Sequence, residues 1–180
     1  MRSNKVLLLH IKKGDQEALE ELFEKYYYRL CDFAFGYVRS IQLAEEVVSD
    51  VFLKVWQKRS TLTATGNFKA YLFTAVRNQA LNYVKKEQRP VDSLDGLPPQ
   101  AARKQYQPDE QLLLKECTNR VEALLNTLPP RRRRIFKLSR LEGFTYRQIA
   151  DMLSISIHTV QNQMVQAVKQ LSSSQLIDEV

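Results

Sequence analysis

The sequence is poor in glycine, in cysteine and in strand-like patterning. It has 5 glycines in 180 residues, and strand-like alternation of apolar and polar residues is scarce. Its 2 cysteines, Cys31 and Cys117, lie far apart, form no CxxC motif and cluster with neither histidine. This pattern predicts no metal site and two isolated thiols in a reducing cytoplasm. No apolar run approaches the roughly 20 residues of a membrane span, so we expect no direct membrane insertion.

The sequence does contain enough apolar residues for a buried core, together with an excess of positive charge. Apolar residues make up 44% of the chain and the formal net charge is +7. Residues 1–90 hold 15 basic and 10 acidic side chains, residues 91–112 hold 2 and 4, and residues 113–180 hold 10 and 6. Two basic blocks around an acidic connector favour a polyanionic partner, although a basic pI alone is equally compatible with a protein that binds none.

Long stretches with an apolar period near 3.6 predict an all-α chain of two small helical domains joined by a flexible linker. Residues 1–90 contain four predicted helices, of which the first ends near Gly14 and the second is capped by Asp15. Residues 91–111 contain three prolines and no strong periodicity, which is typical of a linker. The helical pattern resumes at Leu112, so residues 112–180 form the second domain.

The stretch "TYRQIADMLSISIHTVQNQM", residues 145–164, predicts a helix-turn-helix. Ala150 is the small residue on the first helix, Ser154 lies in the turn and Ser156 is placed to cap the second helix. The apolar residues spaced to fill the wedge between the helices are Ile149, Leu153, Ile155 and Val160.

The second helix of this motif is polar on its exposed face but carries no acidic side chain there. The residues concerned are His158, Thr159, Gln161, Asn162, Gln163 and Gln166. Amides can read base edges in the major groove, while the run Arg131–Arg134 just upstream can hold phosphates. We expect Gln161→Ala to relax sequence preference and Arg132→Ala to weaken binding to all sequences alike. An ordinary solvated helix pair with a solvated basic run is the alternative.

The segment from Thr61 to Arg89 interleaves aromatic and basic side chains, a combination that can stack unpaired bases and hold the backbone. The helical spacing of its apolar residues favours a core role for several of them, namely Phe68, Tyr71, Leu72, Ala75, Val76 and Leu81. The polar, uncharged loop "STLTATGN" is a candidate site for a flipped base.

The preceding predicted helix, residues 43–58, has a polar face interrupted by Leu53 and Trp56. Exposed apolar residues among charges suit docking onto another helix. A buried position for Trp56 is equally compatible with the pattern.

The order of these segments resembles the group IV, or extracytoplasmic function (ECF), sigma factors of RNA polymerase. The resemblance lies in "AEEVVSDVFLKVW", then "FKAYLFTAVRNQALNYVKK", then a linker, then "LPPRRRRIFKLSRLEGFTYRQIADMLSISIHTVQNQM". It implies that residues 1–90 form a sigma region 2 domain and that residues 112–180 form a region 4 domain. The implied function is to direct RNA polymerase core to the −35 and −10 promoter elements and to assist initiation.

The resemblance also implies roles for particular residues. The helix at 43–58 would dock on the β′ clamp helices of polymerase through Glu46, Ser49, Asp50, Leu53 and Lys54. The −10 element would be opened and read by Thr61, Thr63, Asn67, Lys69, Tyr71, Arg77 and Asn78. The −35 element would be contacted by His158, Thr159, Gln161, Asn162, Gln163, Gln166, Arg131, Arg132 and Arg147.

Further implied partners are the polymerase β flap, promoter DNA and an anti-sigma factor. The resemblance implies a cytoplasmic protein without catalytic activity or cofactor. Two features depart from the family pattern, since glutamines stand where the recognition helix often carries Arg or Lys, and Ser154 replaces a frequent turn glycine.

Two other functions are compatible with parts of the sequence. A free-standing helix-turn-helix repressor or activator accounts for residues 113–180 but leaves the aromatic and basic N-terminal block without a role. A nuclease lacks support, because no Asp, Glu and His set has metal-ligand spacing.

Overall fold

A computed structural model of the chain describes residues 2–62, 67–86 and 121–175. These ranges contain helices and turns and no strand, which confirms the predicted all-α fold. The chain divides into two compact units, Met1–Val91 and Asp92–Val180. The predicted linker, residues 91–111, lies outside the described residues, and so do Thr63 and Cys117.

The described part of the first unit contains four helices, and short polar side chains mark where they begin. Their bounds are α1 Asn4–Lys12, α2 Gln16–Val38, α3 Ile41–Gln57 and α4 Phe68–Lys86. The side chains of Ser3, Asp15 and Ser40 accept hydrogen bonds from backbone amides in the first turns of α1, α2 and α3. Each cap satisfies a donor that has no partner within the helix, which confirms the predicted start at Asp15.

Helix α2 is the centre of the first unit and contacts α1, α3 and α4, while α3 also contacts α4. Its apolar stripe is buried at Leu22, Leu30 and Phe33, and the Phe33 and Phe73 rings lie 5.1 Å apart between α2 and α4. Burial raises the pKa of the Cys31 thiol to about 12, so this cysteine stays protonated and packs as a small apolar side chain.

The second unit contains helical residues at 121–126, followed by α5 Pro130–Arg140, α6 Tyr146–Leu153 and α7 Ile157–Gln175. Pro130 occupies the first turn of α5, where its missing N–H costs no hydrogen bond. The three helices contact one another. The side chains buried between them and the 121–128 segment include Leu125, Leu128, Ile135, Leu138, Ile149, Met152, Val160, Met164 and Ala167.

Some side chains lie elsewhere than their spacing predicts. Tyr71, grouped with core residues by helical period, has 43% of its surface exposed, and Leu153 and Ile155 are only half-buried. Helix α5 ends at Arg140, and Gly143 takes φ +70° in the turn that follows. This left-handed conformation lets the chain reverse, so that the Phe144 amide donates to the Leu138 carbonyl at 3.0 Å.

Candidate nucleic-acid interface

The helix-turn-helix is held by two caps and one left-handed turn residue. Thr145 and Gln148 form a capping box at the start of α6, in which each side chain bonds the backbone of the other. Ser154 ends α6 at φ 55° and ψ 49°, the left-handed region in which glycine is usual. The Ser156 hydroxyl accepts from the Thr159 amide at 3.0 Å and caps α7, which confirms the predicted cap. The direction of α7 is therefore set locally.

Helix α7 presents a row of polar side chains to solvent. His158, Gln161, Asn162 and Gln166 are exposed, and the Asn162 amide nitrogen lies 3.1 Å from His158 Nε2. Thr159 is half-buried, with its hydroxyl 2.8 Å from that of Ser156. Four of the six predicted residues of this helix thus share one accessible face, and their amide groups can both donate and accept at base edges.

Gln163 lies on a different side of α7 and is half-buried. Its side-chain oxygen accepts a hydrogen bond from Arg132 Nε at 3.3 Å, and Arg132 Nη1 also donates to Gln170 Oε1 at 2.7 Å. The sequence predicts that Arg132 contacts a phosphate and that Gln163 contacts a base, whereas in the structure the two side chains contact each other. These two side chains bond to each other within the unit.

The other predicted arginines of this unit point in several directions. Arg131 on α5 and Arg147 on α6 are exposed. Arg133 is half-buried and donates through Nη2 to the carbonyls of Asn126 and Leu128, at 2.8 and 3.0 Å. Successive helical positions differ by about 100°, so the four consecutive arginines divide between solvent and the interior surface. Arg131 and Arg147 are the accessible candidates for phosphate contact.

Helix α4 carries a second row of exposed polar side chains. Tyr71 and Asn78 are exposed, and the helical period places Asn82 and Lys85, both exposed, on the same side. Asn82 and Lys85 are absent from the predicted set of −10 residues. They lie four and seven residues after Asn78, a helical spacing that could have identified them. An aromatic ring followed by amides and an amine is suited to stacking and bonding nucleobases.

Two further predicted −10 residues, Thr61 and Asn67, have structural partners. Asn67 caps α4, because its side-chain oxygen accepts from the Ala70 amide at 3.2 Å. The Thr61 hydroxyl donates to the Lys58 carbonyl at 2.9 Å, although Thr61 itself is exposed.

The two predicted cations of α4 are half-buried. Arg77 donates to Asn78 Oδ1 at 3.2 Å. Lys69 lies with Nζ 6.0 Å from the centre of the Phe73 ring. Both cations therefore already have a contact within the first unit.

A hydrogen-bond network joins α3 to α4 through three of the predicted polymerase-binding residues. The Tyr83 hydroxyl lies 3.0 Å from Glu46 Oε1 and 2.9 Å from Asp50 Oδ2. Gln79 donates to Asp50 at 2.9 Å and accepts from Lys54 at 2.5 Å. Burial and the two carboxylates raise the pKa of Tyr83, so its hydroxyl remains a neutral donor at physiological pH.

The other two predicted polymerase-binding residues, Ser49 and Leu53, lie on the surface of α3 beside this network. Both are exposed, and Leu53 leaves 54% of its surface in solvent at the middle of the polar face of α3. Trp56 is half-buried, with the Arg59 guanidinium 4.6 Å from the ring centre. Leu53 is therefore the apolar side chain of this face most available to a partner.

Within the described ranges, no three His, Cys, Asp or Glu side chains group as a metal site would require. No helix in that part of the chain is both long and apolar enough to cross a membrane.

Comparison with known families gives two matches to one family. Sigma-70 region 2 matches residues 22–90, and Sigma-70 region 4 matches residues 118–171. The ECF RNA polymerase sigma-E factor of Escherichia coli K12 is 24% identical over 173 residues, covering 92% of this chain and 90% of its own. The RNA polymerase sigma-H factor of Pseudomonas aeruginosa is 24% identical over 171 residues, covering 89% and 88%.

Two solved structures are similar over most of their length. CnrH, in complex with the cytosolic domain of CnrY, has a TM-score of 0.59 at 18% identity and covers 99% of both chains. The sigma factor RpoE of Bartonella quintana, in complex with the anti-sigma factor NepR, has a TM-score of 0.58 at 25% identity and covers 88% of this chain and 97% of its own. The chain therefore belongs to the sigma-70 family of RNA polymerase sigma factors, in its extracytoplasmic function group, and acts in promoter recognition at transcription initiation.

Proposed function

We propose that the two units contact separate promoter elements, with α4 and the loop before it at the −10 element and α7 at the −35 element. The observation that carries this proposal is the row of exposed polar side chains on α7, the second helix of a doubly capped helix-turn-helix. Helices placed in this way insert side chains near their N-terminus into the major groove.

At the −35 element, we assign base contacts to the amides of Gln161, Asn162 and Gln166 and phosphate contacts to Arg131 and Arg147. All five side chains are exposed. Adenine is the geometrically favoured target of an amide, because its N6 and N7 match one donor and one acceptor. Phosphate contacts supply affinity and register but no sequence preference.

At the −10 element, we assign base stacking to Tyr71 and hydrogen bonding to Asn78, Asn82 and Lys85. Capture of unstacked bases would favour duplex opening, since each stacking contact is worth about 1–3 kcal/mol. The chain itself then needs no catalytic group, and we propose that it performs no chemistry.

We further propose that the exposed face of α3, centred on Leu53, docks on the β′ clamp helices of polymerase, and that the second unit docks on the β flap. An apolar side chain surrounded by polar ones is the usual composition of such a docking centre. Action on polymerase implies a cytoplasmic protein.

An anti-sigma factor is the remaining proposed partner. The structurally similar RpoE is seen in complex with the anti-sigma factor NepR, and it covers most of the present chain. A co-purified membrane-anchored or diffusible protein that blocks core binding by this chain would support the proposal. A chain that stays active in the presence of all its cellular partners would contradict it.

The proposed division between base and phosphate contacts is tested with the chain assembled on core polymerase. Promoters selected from a randomised library by the wild-type holoenzyme are compared with those selected by the Gln161→Ala and Arg131→Ala variants. We expect Gln161→Ala to relax preference at one or two −35 positions, and Arg131→Ala to lower the yield from all promoters equally. The reverse assignment would reject the proposal.

A further inference from the structure

The side chain of Arg132 connects α5 to α7 at two points. Nε donates to Gln163 Oε1 at 3.3 Å and Nη1 donates to Gln170 Oε1 at 2.7 Å. The two glutamines are two helical turns apart, about 10 Å along the axis of α7. Because the guanidinium is planar and its donors have fixed directions, two such bonds restrain the rotation of α7 about its axis as well as its position along it.

The same connection continues to the chain before α5. Gln170 Nε2 donates to the Thr127 carbonyl at 2.8 Å, and Arg133 donates to the carbonyls of Asn126 and Leu128. Segment 126–128, the start of α5 and the second half of α7 are thus joined by side-chain hydrogen bonds around the apolar cluster of Leu125, Leu128 and Ala167.

The glutamines that bond Arg132 are close in sequence to the exposed amides of α7, but they lie on a different side of the helix. Gln163 follows Asn162 directly, yet only Asn162 is exposed. A rotation of α7 by about 20° would displace the tips of its side chains by about 2 Å. That shift exceeds the range of lengths in which a hydrogen bond to a base edge forms. Any contact that fixes the rotation of α7 therefore determines which bases its exposed amides meet.

We propose that Arg132 is a positioning residue for sequence recognition, holding α7 at the rotation that presents Gln161, Asn162 and Gln166 together to the −35 element. The inference rests on the −35 role proposed above for α7. It replaces the phosphate role expected for Arg132 and leaves that role to its exposed neighbour Arg131.

The test compares Arg132→Met with the matched control Arg131→Met, both in the full chain bound to core polymerase. Methionine keeps an unbranched stem and removes one positive charge in each case. Affinity is measured over a range of salt concentrations for a −35 sequence selected by the wild-type holoenzyme, and for the same sequence with one substituted base pair. A third variant, Gln170→Met, removes one acceptor of Arg132 without altering the charge.

Arg131→Met should lower the slope of log affinity against log salt by about 0.9, as for one lost phosphate contact, with discrimination between the two sequences unchanged. Arg132→Met should leave the slope unchanged and reduce discrimination about tenfold, as for a disturbed base contact. Gln170→Met should reduce discrimination in the same direction, which keeps the test decisive if Arg132→Met fails to fold.

Two results would overturn the inference. One is a lowered salt slope with intact discrimination in Arg132→Met, which would make Arg132 a phosphate contact. The other is discrimination within twofold of wild type in both Arg132→Met and Gln170→Met. A wild-type holoenzyme with no −35 preference at all is a separate outcome, which would reject the −35 role of α7 itself.

Discussion

The two units join their candidate binding helices through hydrogen-bond networks that differ in charge. In the first unit, the carboxylates of Glu46 and Asp50 on α3 share the one proton of the neutral Tyr83 hydroxyl on α4, and Lys54 of α3 donates to the Gln79 amide oxygen. In the second unit, the cation of Arg132 on α5 donates to neutral amides on α7. Each pair of helices is therefore joined by charge-assisted bonds, which are stronger than bonds between neutral groups.

This difference determines what each unit can offer a partner. The first unit keeps two carboxylates and the Lys54 ammonium around the exposed Leu53, a combination suited to a protein surface with charged side chains. The second unit turns one arginine inward and leaves uncharged amides on the outer face of α7, a combination suited to base edges. On α3 and on α7, residues three or four positions apart have different roles. One bonds a neighbouring helix, and the other is exposed to a partner.

The largest difference between the two units is expected when the core of one of them is disrupted. Ile149 is fully buried between the helices of the second unit. The substitution Ile149→Ala should lower the unfolding free energy of this unit by about 3 kcal/mol. Because each unit has its own core, amide exchange in α6 and α7 should accelerate. Trp56, the only tryptophan of the sequence, lies in the first unit, and the unfolding transition followed by its fluorescence should be unchanged. Val47→Ala, at a buried position of α3, is the matched variant and should show the opposite pattern. Equal shifts of both signals by either variant would show that the units do not unfold separately.

The next largest effect is expected at the exposed face of α3. Leu53→Asp should weaken binding to core polymerase about a hundredfold, because a charge would replace an apolar side chain at the centre of the proposed contact. Folding should be unaffected, since Leu53 is 54% exposed. The measurement is titration of labelled core with the full chain. Tyr28→Asp, at a position 67% exposed on α2, is the control, and an equal loss for both would contradict the placement of the contact.

A smaller effect is expected at α4. Tyr71→Ala should reduce affinity of the holoenzyme for single-stranded −10 DNA about tenfold, since one stacking contact would be lost. Binding to core should be unchanged, and Tyr28→Ala serves again as the exposed-aromatic control. Unaltered −10 affinity in Tyr71→Ala would show that the exposed ring does not contact a base.

The smallest effect is expected at the turn of the helix-turn-helix. Ser154→Gly should stabilise the second unit by about 0.5–1 kcal/mol, because Ser154 adopts φ 55°. Arg39 has a similar φ of 57° at the end of α2 in the first unit, but Arg39 also takes part in a further interaction. Arg39→Gly should therefore give a smaller gain or none. Chemical denaturation of both variants measures the difference, and a loss of stability in Ser154→Gly would mean that the hydroxyl has a role in the turn.

The helices, their caps and most of the core could be predicted from sequence, because these features depend on local chemistry. Asp15 and Ser156 are caps at the predicted positions, and the apolar stripe of α3 is buried as its period indicates. The assignment of polar residues to particular partners could not be predicted in the same way. Helical period places Gln163 on the polar half of α7, but only the packing of α5 against α7 brings it to Arg132.

The same limit applies in the first unit. The sequence places Glu46, Asp50 and Lys54 with Leu53 on one polar face of α3. In the structure, the first three form hydrogen bonds with α4, whereas Leu53 remains exposed. Tyr71 has the spacing of a core residue and is exposed, since α4 places it on the side away from α2 and α3. Asn67 could have been identified as a cap from its position just before the periodic residues of α4.

We propose that one chain directs polymerase to promoters through α4 and α7 together. Run-off transcription with purified core polymerase on a library of random promoter sequences tests it most directly. We expect the added chain to move initiation to templates that share two short elements at a fixed spacing, and Leu53→Asp to abolish this shift. Unchanged start sites in the presence of the wild-type chain, or a shift that requires only one element, would contradict it.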